Sequence, residues 1–467
     1  MNRTITIDPV TRIEGHAKIL LNVDEAGQVS SAHLQVLEIR GFEKLLQGME
    51  LFKMPLITAR ICGVCPAAHH LVSVQAIENG LGVQAPAGAK LLRELLYMGH
   101  ILHSHALSAF VLAGPDILSG RGAKREARNI FSLLRLAPEL ATKMLRLRSI
   151  GQRTVEILGA RGVHPVSVVP GGIAGKPSPE EMSGIATSAT QAITLLEELI
   201  PVLREKLRAL EWVEEPFPAT LRPIALSRNG EVSFLEGKLT VTDQNGKALR
   251  SFAPSDYDKH LVEHVVPGSY MKLVRLRGTP EELCYTGPLA RLNVNNKVTT
   301  PKAAALLGVF AEGKKSHFTP TGYIEARMVE MMMAAERMAA IAGCELPGGP
   351  LQTPCEPKPG RYVGAVEAPR GVLIHDYTAD KDGRVSAVNL IVATQANYEA
   401  IDQSIAASAR QLLPAKDDEA LMNGLEFTLR CFDPCLSCAT HAVGGMPMEV
   451  LVVRSGIVER SISRRAQ

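Results

Sequence analysis

Two Cys-x-x-Cys pairs stand near opposite ends of a 467-residue chain. Cys62 and Cys65 lie in Arg60-Ile-Cys-Gly-Val-Cys-Pro-Ala-Ala-His69, and Cys435 and Cys438 in Asp433-Pro-Cys-Leu-Ser-Cys-Ala-Thr-His441. Two cysteines three apart, at a turn or a helix start, can aim both thiolates at one metal. Thiolates are soft ligands that favour nickel, iron, copper(I) or zinc over magnesium or calcium. A structural zinc on four cysteines is the simplest candidate. Three features lower it. The pairs are separated by residues 66 to 434, 369 in all, whereas zinc ribbons close short loops. A histidine trails each pair, giving six candidate ligands where four suffice. Arg60 and Asp433 bring charge that a closed structural site does not need. A thioredoxin-type redox pair requires only one Cys-x-x-Cys in a βαβ setting, and no such pattern is visible. Cys284, Cys344, Cys355 and Cys431 share no spacing, so the chain has no evident ligand set for an iron–sulfur cluster of its own.

The elements that must position these thiols can be read from periodicity. Residues 4–40 alternate apolar and polar around Asp24-Glu-Ala-Gly27, the pattern of a hairpin or small sheet. From Gly88 the period changes to that of a buried helix, through Leu91, Leu92, Leu95, Leu96, Ile101 and Leu102. Further helices are expected over 124–158 (punctuated by Pro138), 179–210, 301–342 and 398–413. Strand chemistry returns at 222–252 and 361–395, with turns at Asn245-Gly246 and Asp382-Gly383. Pro-Gly-rich connectors lie at 165–177 and 346–360. The whole reads as a helix-dominated α+β fold, a central bundle of long helices with small peripheral sheets. It is expected to form one domain over residues 1–441.

Composition narrows the class further. Hydrophobic residues make up 46% and charged residues 21%, with a net charge of +3. There is no concentrated basic patch for nucleic acid, and no stretch is expected to supply the ~20 apolar residues of a membrane span. Residues 1–9 lack the apolar run of a signal peptide, so a cytoplasmic location is expected. Asp380-Lys-Asp-Gly383 lacks the later ligands of a calcium loop and reads as a hairpin turn. The Met331-Met-Met333 run reads as core packing. His103 and His105 read as satisfied core residues, and His16 has no clear role.

Five segments in order resemble the signatures of nickel–iron hydrogenase large subunits. They are the two cysteine motifs, Asp8-Pro-Val-Thr-Arg-Ile-Glu-Gly-His16, Arg40-Gly-Phe-Glu43 and Glu367-Ala-Pro-Arg-Gly371. The resemblance implies that Cys62, Cys65, Cys435 and Cys438 bind nickel, with Cys65 and Cys438 bridging to an iron that carries one carbon monoxide and two cyanides. It implies heterolytic cleavage of dihydrogen, the proton passing to Cys435 and then Glu14. Arg370 is expected over the iron and its cyanides, Thr394 as donor to the other cyanide, and His69 as donor to a cysteine sulfur. Glu43 and His441 are expected to share a magnesium ion.

The resemblance is strongest to soluble NAD-reducing enzymes, in His103-Ser-His105, Pro115-Asp116 and the tail Ala442 to Pro447. No Gly-x-Gly-x-x-Gly follows a strand, so NAD is expected on a flavin-bearing partner, and iron–sulfur clusters on a small subunit. NADP-, F420- and heterodisulfide-linked relatives are alternatives for the acceptor. A complex I quinone-site homologue generally lacks the four cysteines. Large subunits of this kind are usually made with a carboxy-terminal extension, so residues 442–467 are expected to be removed by a maturation protease, with nickel-insertion proteins as further partners.

Overall fold

The computed structural model describes residues 3–120, 122–210, 212, 214–312 and 318–441 (side chains at 3, 125, 311 and 312 excepted), and the backbone of 448–454 and 457–464. Alternation at the amino terminus produces β1 (Arg3–Ile7), β2 (Ala17–Val23) and β3 (Val29–Val36), an antiparallel sheet in that order. The Asp24 carboxylate accepts from the Ala26 and Gln28 N–H groups and closes its turn. Inward-facing Ile19, Leu21, Leu34 and Val36 are completely buried.

Helices α1 (Pro66–Leu81), α2 (Ala87–Ala106), α3 (Pro138–Gly159) and α4 (Pro179–Ala209) follow. In α4, Ser178 and Glu181 form a reciprocal capping box at the start, which satisfies two otherwise orphaned N–H groups. The 124–158 stretch is broken at Pro138 as expected, into Ile130–Leu136 and α3. Helix α1 has no counterpart among the elements expected from the sequence. Its residues are buried on nearly every face, so no polar stripe marks its period.

The middle of the chain adds β4 (Leu221–Arg228), β5 (Lys238–Thr242) and β6 (Ala248–Phe252), antiparallel neighbours joined in part by the Asp243–Gly246 turn, and the short helix α5 (Pro288–Val294). The helix expected over 301–342 is two helices. Pro301–Glu312 is separated from α6 (Gly322–Ala342) by the turn at Thr319–Thr321, where Pro320 lacks an N–H to continue a helix. The strands β7 (Gly360–Ala368), β8 (Gly371–Ala379) and β9 (Val385–Ile391) form a meander. Asp380 accepts from the Asp382 and Arg384 N–H groups, so this segment is the hairpin turn expected. Two helices, α7 (Tyr398–Leu412) and α8 (Asp418–Phe432), lead to the second cysteine pair; α8 too was not expected. Met448–Arg454 and Ile457–Arg464 pair as an antiparallel hairpin.

The long helices α2, α3, α4 and α6 pack on one another, with the sheets around them. One buried apolar cluster runs from Ile7 to Ala439 and includes all four motif cysteines and Met331 to Met333. One expectation needs correcting. The helical run Ala87–Ser119 is long and apolar enough to cross a bilayer, but 83% of its apolar window is buried inside the protein. It is a core helix by packing.

Candidate metal centre

Each cysteine pair sits where the backbone leaves an extended conformation and enters a helix. Cys62 is extended and Cys65 is the residue before α1, whose first helical position is Pro66. Cys435 precedes the short helix Leu436–Ala439, which carries Cys438. The Glu14 and Cys435 backbones form an isolated bridge, so the amino-terminal motif and the second cysteine turn are laced together. Gly15 makes this approach possible. Its φ is +82°, and a Cβ there would stand 2.8 Å from Leu436 Cβ.

The four sulfurs lie within 4.8 Å of one another and all four residues are buried. Sγ separations are 3.3 Å for Cys62–Cys435, 3.4 Å for Cys65–Cys438 and 3.9 Å for Cys65–Cys435. The Val64 and Cys65 N–H groups donate to Cys62 Sγ at 3.3 and 3.1 Å. Burial raises the Cys62 pKa, but hydrogen bonds from the other three cysteines and the field of Arg370 carry it well below the ordinary thiol value.

Arg370 occupies a two-residue turn between β7 and β8, whose ends Ala368 and Gly371 are paired. The turn is wedged against the rest of the molecule. A Cβ on Gly371, at φ +132°, would stand 2.4 Å from Thr286 Cγ2 and 2.6 Å from Gly287 N. The guanidinium donates from Nε to the Asp433 carbonyl at 2.8 Å and from Nη2 to Asp433 Oδ1 at 3.0 Å. Burial alone favours its neutral form, but the negative charge of Asp433 and of the Cys435, Cys65 and Cys62 thiolates holds it charged. Its Nη1 is buried with no partner in the protein. A buried donor left open costs about 1–3 kcal/mol, so this one marks room for an acceptor. Small anionic ligands on a metal would supply it.

The other expected residues fall close by. His69 Nε2 is 3.4 Å from Cys438 Sγ. The Thr394 hydroxyl engages the Cys435 backbone, accepting from its N–H at 3.0 Å. Glu14 is half-buried, and its Oε2 accepts from the Ser437 N–H at 3.0 Å. Glu43 and His441 pair at 2.9 Å, with His441 Nε2 3.1 Å from Gln395 Oε1. Burial pushes Glu43 up, yet His441 and the Leu390 N–H bring its pKa below the ordinary value. Of the uncertain histidines, His16 is exposed beside Glu38, His105 meets Glu330 at 2.7 Å, and His103 meets His100 at 3.1 Å.

Several neighbours were not foreseen from the sequence. Arg327 on α6 donates to the Cys431 and Phe432 carbonyls, just before the second pair. His375 and Tyr377 extend from His69. Their two-residue spacing on one strand face, after the Arg370 motif, was the available signal.

Four converging buried thiols, beside a guanidinium with an open donor and a carboxylate, form a cluster that could hold a thiolate-ligated metal ion. A nickel-dependent hydrogenase profile matches residues 40–125 and 233–441, and a HoxL-like profile residues 4–39. The chain belongs to the nickel-dependent hydrogenase family, as a large, catalytic subunit. It is 35% identical over 453 residues to a component of the F420-non-reducing hydrogenase of Methanothermobacter thermautotrophicus, covering 94% of this chain and 95% of that one. It is 32% identical over 483 residues to the beta component of the NAD-reducing hydrogenase HoxS of Cupriavidus necator, covering 97% of each. Among solved structures, an NAD+-reducing [NiFe]-hydrogenase in the H2-reduced state superposes with a TM-score of 0.90 at 35% identity, over 94% of this chain and 99% of that one.

Proposed function

We propose that Cys62, Cys65, Cys435 and Cys438 hold a nickel–iron centre whose iron carries carbon monoxide and cyanide, and that the chain splits and forms dihydrogen there. The carrying observation is the buried four-sulfur cluster beside the open Arg370 donor. When bound, such a centre supplies the redox capacity and Lewis acidity for heterolysis. The protein's part is to place acceptors and donors. Cys435 receives the proton and Glu14, bridged to it through the backbone, takes it on towards solvent. Arg370 Nη1 donates to a cyanide and His69 to the Cys438 sulfur, and Thr394 donates to the other cyanide by turning its O–H away from the Cys435 carbonyl it meets at 3.3 Å. Glu43 and His441 hold magnesium, for which a carboxylate and retained waters are suitable ligands.

Electrons leave through a small subunit with an iron–sulfur cluster and through flavin-bearing subunits to NAD, a reading supported by the NAD-reducing relatives. The comparable identity to the F420-non-reducing relative favours a second reading, with another acceptor. In the mature protein, residues 1–441 form the single catalytic domain and 442–467 have been removed by a maturation protease. The complex resides in the cytoplasm.

Infrared spectroscopy of the purified complex tests the centre. Bands of carbon monoxide and cyanide with near-equal nickel and iron contents are expected, and zinc alone overturns the reading. Hydrogen-dependent reduction of NAD, compared with other acceptors, separates the two acceptor readings. The mass of the active large subunit should lack the tail.

A further inference from the structure

His69 does not end at Cys438. Its other ring nitrogen, Nδ1, is 3.1 Å from His375 Nε2. His375 Nδ1 is 2.5 Å from the Tyr377 hydroxyl, which is 3.0 Å from Ser73 Oγ. None of the four is more than 1% exposed. Two periodicities build this row. His69 and Ser73 are four apart on α1 and share a helix face. His375 and Tyr377 are two apart on β8 and share a strand face. Because α1 packs on β8, the two columns interleave into one hydrogen-bonded file.

The facing ring nitrogens of His69 and His375, 3.1 Å apart, share one hydrogen, so one ring of the pair donates and the other accepts. A neutral imidazole that donates from one nitrogen accepts at the other, so the direction of every bond in the file depends on the next. For His69 to donate from Nε2 to a sulfur without a hydrogen, its Nδ1 must accept from His375 Nε2–H. His375 Nδ1 must then accept from the Tyr377 O–H. Ser73 is the rival acceptor for that hydroxyl, and Thr58 is also within its reach.

We propose that Tyr377, acting through His375, is a positioning residue that fixes His69 as its Nε2–H tautomer and so aims a donor at the Cys438 sulfur. The inference rests on Cys438 as a metal thiolate. The role is electronic. A thiolate that accepts a hydrogen bond donates less charge to its metal, and the partner that fixes a ligating group's neighbour tunes the metal in turn.

Nitrogen-15 spectra of the full-length chain with labelled histidine, its four cysteines held as thiolates by added zinc, report the tautomers directly. In the wild type, His69 and His375 are expected as Nε2–H. A wild-type His375 carrying its hydrogen on Nδ1 overturns the proposal with no variant needed. Tyr377→Phe should shift His69 toward Nδ1–H, whereas Ser73→Ala, which removes only the rival acceptor, should keep or raise the Nε2–H share. No shift in Tyr377→Phe, or an equal loss in both variants, overturns it. In the metal-loaded complex, Tyr377→Phe should move the carbon monoxide band to lower wavenumber as the sulfur regains donor strength, and an unmoved band counts against the proposal. Absence of any such band in the wild type instead sinks the metal-site reading and leaves the tautomer result to stand separately.

Discussion

Two buried arginines separated by fewer than eighty residues do opposite jobs. Arg291, on α5, is completely buried and uses every donor it has. It reaches both Glu330 oxygens at 2.7 and 2.6 Å, Glu367 at 2.8 Å, and the Ala368 and Pro369 carbonyls at 3.0 and 3.1 Å. Arg370, at the tip of the turn those carbonyls belong to, keeps Nη1 open. The saturated guanidinium holds the backbone from which the unsaturated one projects. The difference teaches how to read a buried cation. Full satisfaction marks a structural hub, and an open donor on a guanidinium that feels the field of Cys435, Cys65 and Cys62 marks a site.

One exchange made at each position sets the two apart. Arg291→Lys replaces a planar five-donor fork with a three-donor point charge. It strands acceptors on Glu330, Glu367 or the turn, and should cost about 3–5 kcal/mol of stability, the penalty for breaking a buried ion network. Urea denaturation measures it, and a loss below about 1 kcal/mol would dissolve the distinction. Arg370→Lys keeps the charge beside Asp433 but cannot reproduce the open Nη1. Hydrogenase activity should fall about 10²–10³-fold, the usual cost of one preorganised donor, while the urea midpoint stays close to the wild type.

Gly371→Ala tests whether the turn itself matters. A Cβ there meets Thr286 and Gly287 at positive φ, so about 1–3 kcal/mol should be lost, with activity falling alongside. The smallest effect concerns pH. One guanidinium faces two carboxylates. Glu330 is held down to about 2 against its burial, chiefly by Arg291, whereas burial wins at Glu367 and carries it to about 7. Between its ordinary value of 4.5 and about 7, the folded state binds a proton at Glu367 that the unfolded chain has released. Stability from this group therefore falls as pH rises through that window. Glu367→Gln should flatten the slope of urea stability against pH there, and an unchanged slope would place the proton elsewhere in the network.

What could be read in advance divides along the same line. The cysteines announce metal chemistry by type and spacing, Glu43, Arg370 and His441 are picked out by the family resemblance of their motifs, and the fold brings Glu43 onto His441 and Arg370 onto Asp433. The terminal sheet, the hairpin at Asp380 and the amphipathic helices follow from alternation and period. Helix α1 was invisible because it is buried on nearly every face, polar residues included, and the break before α6 because Met328 to Met338 swamps the signal of Pro320. Arg291, Glu330 and Glu367 come from three separate elements with no shared motif, so nothing local announces a hub. Thr394 lies near its expected place, but its hydroxyl is engaged with the Cys435 backbone.

The distance between the two cysteine pairs along the chain also sets a clock. Cys65 and Cys435 are separated by 369 residues, and at a synthesis rate of about 5–20 residues per second the first pair waits roughly 20–70 s for the second. During that interval Cys62 and Cys65 are two thiols without the partners that later bury them. Closure of the four-sulfur cluster thus waits until Cys438 has been made, and an oxidant present during translation meets half a site.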